Sequence, residues 1–203
     1  MSASILLIGI LGGTSAYAQR KPLDEALKRL DDNYKNLSTV RANVTMDRYE
    51  SQLGDHDVSE GSVMLLPLKG RDPAFRADWV KPGNESLSVV NGEYIIWRAN
   101  IRQAIHGLVK KATNNASAGN AFSFMSMSKE QLKTNYQPDY VELENLNGGK
   151  PAWHIRLTPR KAADFKVADI WVDVDGMPVQ TKVTRKNGDS TTILLTNIKK
   201  TFR

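Results

Sequence analysis

The sequence predicts an α+β protein that is mainly β. It should be a single large antiparallel sheet of about eleven strands, with one amphipathic helix ahead of it and a helical insert within it. Three observations carry this. Apolar residues recur at helical spacing only before Leu37; beyond Val40 the apolar period drops to two; and the period-two runs are separated by turn dipeptides. So many consecutive hairpin-joined strands curl toward a barrel or half-barrel rather than staying flat.

From Pro22 to about Leu37, Leu23, Leu27, Leu30, Tyr34 and Leu37 follow one another at spacings of four, three, four and three. They form one face of a helix, with Pro22 suited to its first turn and charged residues such as Asp24, Lys28, Arg29, Asp31 and Lys35 on the rest. Val40, Ala42, Val44 and Met46 then alternate with Arg41, Asn43, Thr45 and Asp47, a half-buried strand. Further strands are expected at Val58–Leu66, Phe75–Lys81, Ser86–Val90, Tyr94–Arg98 and Arg102–His106. A second series runs through Asp139–Leu146, Ala152–Leu157, Val167–Val174, Val179–Arg185 and Thr191–Ile198. Gly54-Asp55, Asn91-Gly92, Asn147-Gly148-Gly149, Asp175-Gly176 and Asn187-Gly188 supply turns between them.

Between the two series, Asn114–Asn120 reads as a polar loop and Phe122-Ser123-Phe124-Met125-Ser126-Met127 as a soft apolar surface. The same four apolar residues would also serve as core filling. Ser128-Lys129-Glu130-Gln131 resembles a capped helix start.

The N-terminus narrows the compartment. Ile5 to Leu11 is apolar apart from Gly9, and Ala16-Tyr17-Ala18 places small residues before a cut at Gln19. That is the pattern of a secretory signal, too short to span a bilayer, although Met1 to Ser4 carries no Lys or Arg. Cleavage near Ala18 would leave a periplasmic domain covering residues 19–203, about 185 residues and large enough for one core. Without cysteine there is neither a disulfide nor thiol chemistry, and the net charge of +6 falls wholly on the mature chain. Export points that charge toward membrane head groups or an acidic partner and away from nucleic acid.

No catalytic signature emerges. There is no G-x-S-x-G, H-E-x-x-H or Walker loop, and Gly148-Gly149-Lys150 precedes Pro151 as a hairpin turn would. Asp173-Val174-Asp175-Gly176 lacks the closing Glu of a calcium loop. Asp55-His56-Asp57 reads as a loop, and His106 and His154 read as structural histidines in strands. The expectation is a protein that is no enzyme and has no cofactor and no metal.

Several stretches resemble the LolA-type periplasmic carriers of outer-membrane lipoproteins. Arg71-Asp72-Pro73-Ala74-Phe75-Arg76 is similar to the family's basic-Pro-x-x-Phe segment, and Pro82 to Trp97, with Val89-Val90-Asn91-Gly92, to its hairpin ahead of a Trp. Phe122-Ser123-Phe124-Met125 resembles its insert helix, and Ile155-Arg156-Leu157-Thr158-Pro159 its L-x-P strand end. Gly176-Met177-Pro178 and Gly188-Asp189-Ser190-Thr191 match its later turns.

The resemblance implies an incomplete barrel whose concave apolar face is closed by a helical lid. It makes Val44, Phe75, Trp79, Ile155, Leu157 and Val172 the acyl-chain cavity. Leu23, Leu27, Leu30, Tyr34, Phe122, Phe124, Met125 and Met127 become the lid, and Arg71, then Arg76, the latch, since an arginine fork can cap several helix carbonyls. The implied partners are acylated lipoproteins, an inner-membrane lipoprotein-releasing transporter and an outer-membrane acceptor, served by a monomer. A lipid-sensing regulator of envelope stress, or a carrier of another lipid, is the alternative use of the same shape. Longer family members continue past the last strand, whereas this chain ends at Lys199-Lys200-Thr201-Phe202-Arg203.

Overall fold

The computed structural model describes residues 14–68, 74–108, 121–125, 127–146 and 149–202, with residues 14–20 described by backbone alone. Most of the expected signal segment, Arg71 and the Asn114–Asn120 stretch lie outside the described residues. Helix α1 (Thr14–Asn36) leads directly into β1 (Leu37–Glu50). There follow β2 (Asp55–Leu66), β3 (Ala74–Lys81), β4 (Glu85–Val90), β5 (Glu93–Arg98) and β6 (Gln103–Leu108). A helical turn, α2, covers 121–124, and α3 covers Lys129–Asn135. The second series is β7 (Tyr136–Asn145), β8 (Pro151–Pro159), β9 (Phe165–Asp173), β10 (Pro178–Arg185) and β11 (Ser190–Phe202).

All eleven strands lie in one sheet, in the order β6-β5-β4-β3-β2-β1-β11-β10-β9-β8-β7. The chain starts at the centre, steps outward hairpin by hairpin to β6, crosses to the far edge, and steps back until β11 pairs with β1. The sheet curls without closing, so β6 and β7 remain edges, and β7 carries Pro138 where a central strand would lose a ladder bond. Asn91 and Gly92 both take positive φ (54° and 78°), the backbone that a two-residue hairpin turn of this hand requires.

Register sets the faces. One row runs Met46, Ile193, Thr181, Ile170 and Ile155 across five strands, and another runs Val40, Leu65, Phe75 and Val89 across four. Because side chains alternate, every second residue of these strands faces the same concave side. Each named member of the two rows is buried there.

Three expectations are corrected. Helix α1 begins at Thr14 and passes through Pro22 instead of starting there. Ala16 to Lys21 are adequate helix formers, and Pro22 removes one intrahelical hydrogen bond without stopping the helix. Asp55-His56-Asp57 is the start of β2 and not a loop, because His56 pairs with Tyr49 across the hairpin. Val174, expected to end its strand, falls in the turn after β9. Among the described residues no helix is long and apolar enough to cross a membrane.

Candidate functional site: the concave face and its lid

The concave floor is apolar from wing to wing. Val44, Phe75, Trp79, Ile155, Leu157 and Val172, the residues expected to line it, are all buried in one continuous cluster. The lid residues join the same cluster. Leu27, Leu30, Phe122, Phe124 and Met125 are buried, while Leu23 and Met127 are half-buried against it; Tyr34 is half-buried.

The insert is two helical pieces, α2 and α3. In α2, Phe122 sets its ring 5.1 Å from Phe75 and 6.4 Å from Trp79. Phe124 makes a second aromatic group with Tyr136 at 5.4 Å and Phe165 at 5.9 Å. Burial pushes the Tyr136 phenol above its ordinary pKa. Helix α3 starts with the capping box expected from Ser128 and Gln131: the Ser128 hydroxyl accepts from Gln131 N, and Gln131 Oε1 accepts from Ser128 N.

The lid is tied down by contacts that local pattern does not announce. Thr181, fully buried in the floor, donates its hydroxyl to the Ala121 carbonyl at 3.0 Å, a tether from sheet to α2. Arg29 of α1 donates to the Val174 carbonyl at 2.7 Å, with its guanidinium carbon 5.6 Å from the Trp153 ring centre. Beside it, Gly176 lies so close that a Cβ would stand 2.1 Å from the Arg29 carbonyl oxygen, at a φ of +81°. Only glycine lets α1 and the β9–β10 turn approach this closely.

Of the two latch candidates, Arg71 lies outside the described residues and Arg76 is placed away from the lid. Arg76 is exposed on the opposite face from Phe75, its guanidinium engaged by Asp78 at 2.6 Å, so it does not reach the lid. Alternation along β3 puts it there. The capping role falls to Arg160, directly after β8. Its Nε donates to the carbonyls of Lys133 (3.1 Å) and Tyr136 (2.9 Å), while its backbone N donates to Asn135 O at 3.0 Å. These are the orphan carbonyls at the end of α3. Arg160 stands 24 to 27 residues from the carbonyls its side chain caps, so only its place after the L-x-P stretch could have marked it.

Polar side chains are buried under α1. Asp31 and Asn33 are each 8% exposed, and each has an Oδ1 with no hydrogen-bond partner. Asn33 reaches only the Met177 sulfur, at 3.8 Å, and Asp31 satisfies its other oxygen with Lys35 at 2.5 Å. Leaving such atoms unpaired costs about 1–3 kcal/mol each, which weakens the seating of this helix.

No protein-family model matches the chain, and no curated protein matches it by sequence. Solved structures do match in fold. MucB aligns over 93% of this chain at a TM-score of 0.56 and 16% identity, and the chain spans 60% of MucB's length. An uncharacterized conserved protein of Thermus thermophilus aligns over 89% of this chain and 88% of its own, at 0.54 and 14%. A LolA superfamily protein of Nitrosomonas europaea aligns over 87% of this chain and 92% of its own, at 0.42 and 10%. At 16% and 14% identity, what the chain shares with MucB and the Thermus protein is the fold described above.

Proposed function

We propose that this protein is an exported, non-catalytic carrier that shields the acyl chains of lipoproteins on its concave face and conveys them from the inner to the outer membrane. The observation that carries the reading is the way Phe122, Phe124 and Met125 of the lid fill that face. The lid side chains occupy apolar space that an acyl chain would take. Three chains of roughly sixteen carbons, at about 0.8 kcal/mol per methylene, would lose tens of kcal/mol in open water. A cover is therefore needed, and it has to release as well as bind.

In this reading α1 and α3 stay on β7 and β8, held by Arg29, Gly176 and Arg160, while α2 lifts from β3. Acyl chains then exchange with Phe122 against Phe75 and Trp79, apolar surface for apolar surface. Cleavage near Ala18 would leave Ala26, Leu27 and Leu30 of α1 in place. The partners are acylated lipoproteins, an inner-membrane transporter that releases them and an outer-membrane acceptor.

The test is to add purified protein, from Gln19 onward, to spheroplasts and look for soluble stoichiometric complexes. A complex with acylated lipoprotein, absent for its unlipidated Cys→Ser form, is expected. A second reading, a lipid-responsive regulator, is favoured by the fold likeness to MucB, which has been solved in complex with MucA. Tight binding of free lipid without any lipoprotein complex would select it. Failure of both would show the concave face to be a closed core.

A further inference from the structure

The convex face of the β7–β9 wing holds a cluster that the lipid reading does not use. A bulge between Tyr140 and Glu142 shifts the register of β7, so that Glu142 stands directly opposite His154, which in turn stands opposite Trp171. Glu144 is two residues further along the same strand. The His154 ring stacks on the Trp171 indole at 4.3 Å and 17°, and the indole N–H donates to Glu144 Oε1.

His154 is buried, its side chain 10% exposed, and its two ring nitrogens are treated differently. Nε2 lies 2.9 Å from Asp169 Oδ1, which also receives Arg156 Nε at 2.9 Å. Asp169 thus accepts from both side chains. Nε2 is then the nitrogen that carries the proton, and Nδ1 keeps its lone pair. Nδ1 is buried without a hydrogen-bond partner, and Glu144 Oε1 lies 3.5 Å from it. One donor atom each from Glu142, Glu144 and His154 lies within 4.8 Å of the others.

We propose that Glu142, Glu144 and His154 Nδ1 form a binding site for a divalent transition metal of the zinc class. The distance separates this from a simple ion pair. His154 Nδ1 is 3.5 Å from Glu144 Oε1, longer than an N–H···O bond of about 2.7–3.2 Å. Two ligands each roughly 2.0–2.1 Å from a tetrahedral zinc stand about 3.4 Å apart. The surroundings fit as well: a ligating histidine characteristically gives its other N–H to a carboxylate, here Asp169 held by Arg156, and Glu144 is steadied by Trp171. Glu142 is exposed, so the ion has a path in and water can complete the coordination. The site lies on the opposite side of the sheet from the acyl-chain face, and its fate does not bear on the carrier reading.

The untagged full chain would be titrated with zinc chloride alone at pH 7.5 by calorimetry, with the imidazole 15N resonances followed in parallel. The chain has only three histidines, so His154 is separable from His56 and His106. One equivalent of zinc should bind and move His154 Nδ1 while leaving the other two rings in place. Glu142→Gln and Glu144→Gln should each weaken binding at least tenfold, and the exposed Glu142 makes the first variant safe for folding. The proposal is overturned by an absence of saturable binding, by affinity undiminished in both variants, or by a His154 ring protonated on both nitrogens and indifferent to zinc.

Discussion

The two wings of the sheet hold the lid in different ways. On the β7–β10 side, helix meets sheet through backbone and charge: Gly176 under the Arg29 carbonyl, Arg29 on Val174 O, Arg160 across the end of α3. On the β3 side the described contact is aromatic, Phe122 on Phe75 and Trp79. The difference is chemical. A directional hydrogen bond to a carbonyl has no substitute in a hydrocarbon chain, whereas an apolar ring contact can be replaced by one with little loss. One wing is therefore suited to act as hinge and the other as mouth.

The comparison is broken most strongly at Gly176. Gly176→Ala places a Cβ into the Arg29 backbone at positive φ, and should cost about 3 kcal/mol or more. Gly92→Ala, also at positive φ but with nothing within 4 Å of the added atom, should cost only about 1–2 kcal/mol. Urea midpoints of the two variants decide it; equal losses would mean that α1 is not clamped to the β9–β10 turn.

Phe122→Ala comes next. A buried Phe→Ala change ordinarily costs about 3–5 kcal/mol. Here the loss of global stability should fall below that range, with apolar-dye fluorescence rising at once, because the lid lifts locally. A full-sized stability loss without added dye binding would place Phe122 in a rigid core.

Arg160→Leu should loosen α3 by about 1 kcal/mol, since Arg160 is exposed and its bonds are partly screened, which raises the open population about fivefold. Hydrogen exchange of the α3 amides measures this, and Arg160→Lys should rescue it only in part. In the opposite direction, Asn33→Leu removes a buried unpaired oxygen and should tighten α1 by up to about 1 kcal/mol. A higher urea midpoint would show it; a lower one would mean that the Asn33 side chain is already satisfied where it sits.

The smallest effect lies away from the lid. Asp189 accepts from Ser51 N at 2.9 Å and from Asn187 at 2.6 Å, and these bonds hold its carboxyl below the ordinary range. Its contribution is therefore complete above the ordinary carboxylate pKa and is lost as pH falls through the lower folded value. The stability gap between wild type and Asp189→Asn should shrink in acid, and dye uptake should not change with it.

Local pattern was sufficient wherever one chemical rule acts over a few residues. Period-two alternation located all eleven strands to within a few residues, Asn91-Gly92 marked its hairpin turn, and Ser128 to Gln131 showed the capping box. The Leu23, Leu27, Leu30 face identified the buried side of α1. Sequence pattern failed where partners are distant in the chain. Arg76 and Arg160 both look like basic residues near a proline, yet strand alternation turns one away from the lid and sheet topology brings the other under α3. Thr181 looked like one more strand residue, and it is the buried tether of α2. The bulge that brings Glu142 opposite His154 is equally invisible to alternation, because a register shift is a property of two strands together.

By itself, then, the sequence determined the period and the punctuation of the chain: a helix face, eleven strands, the turns between them and an apolar insert. Those depend on backbone dihedrals and side-chain spacing within a single segment. Which side of each strand faces the lid, which arginine closes it, and which carboxylates gather around His154 were decided only when the sheet curled. Those are distances between residues far apart in the chain, and they exist only once loop closure has brought the two edges of the sheet under one set of helices.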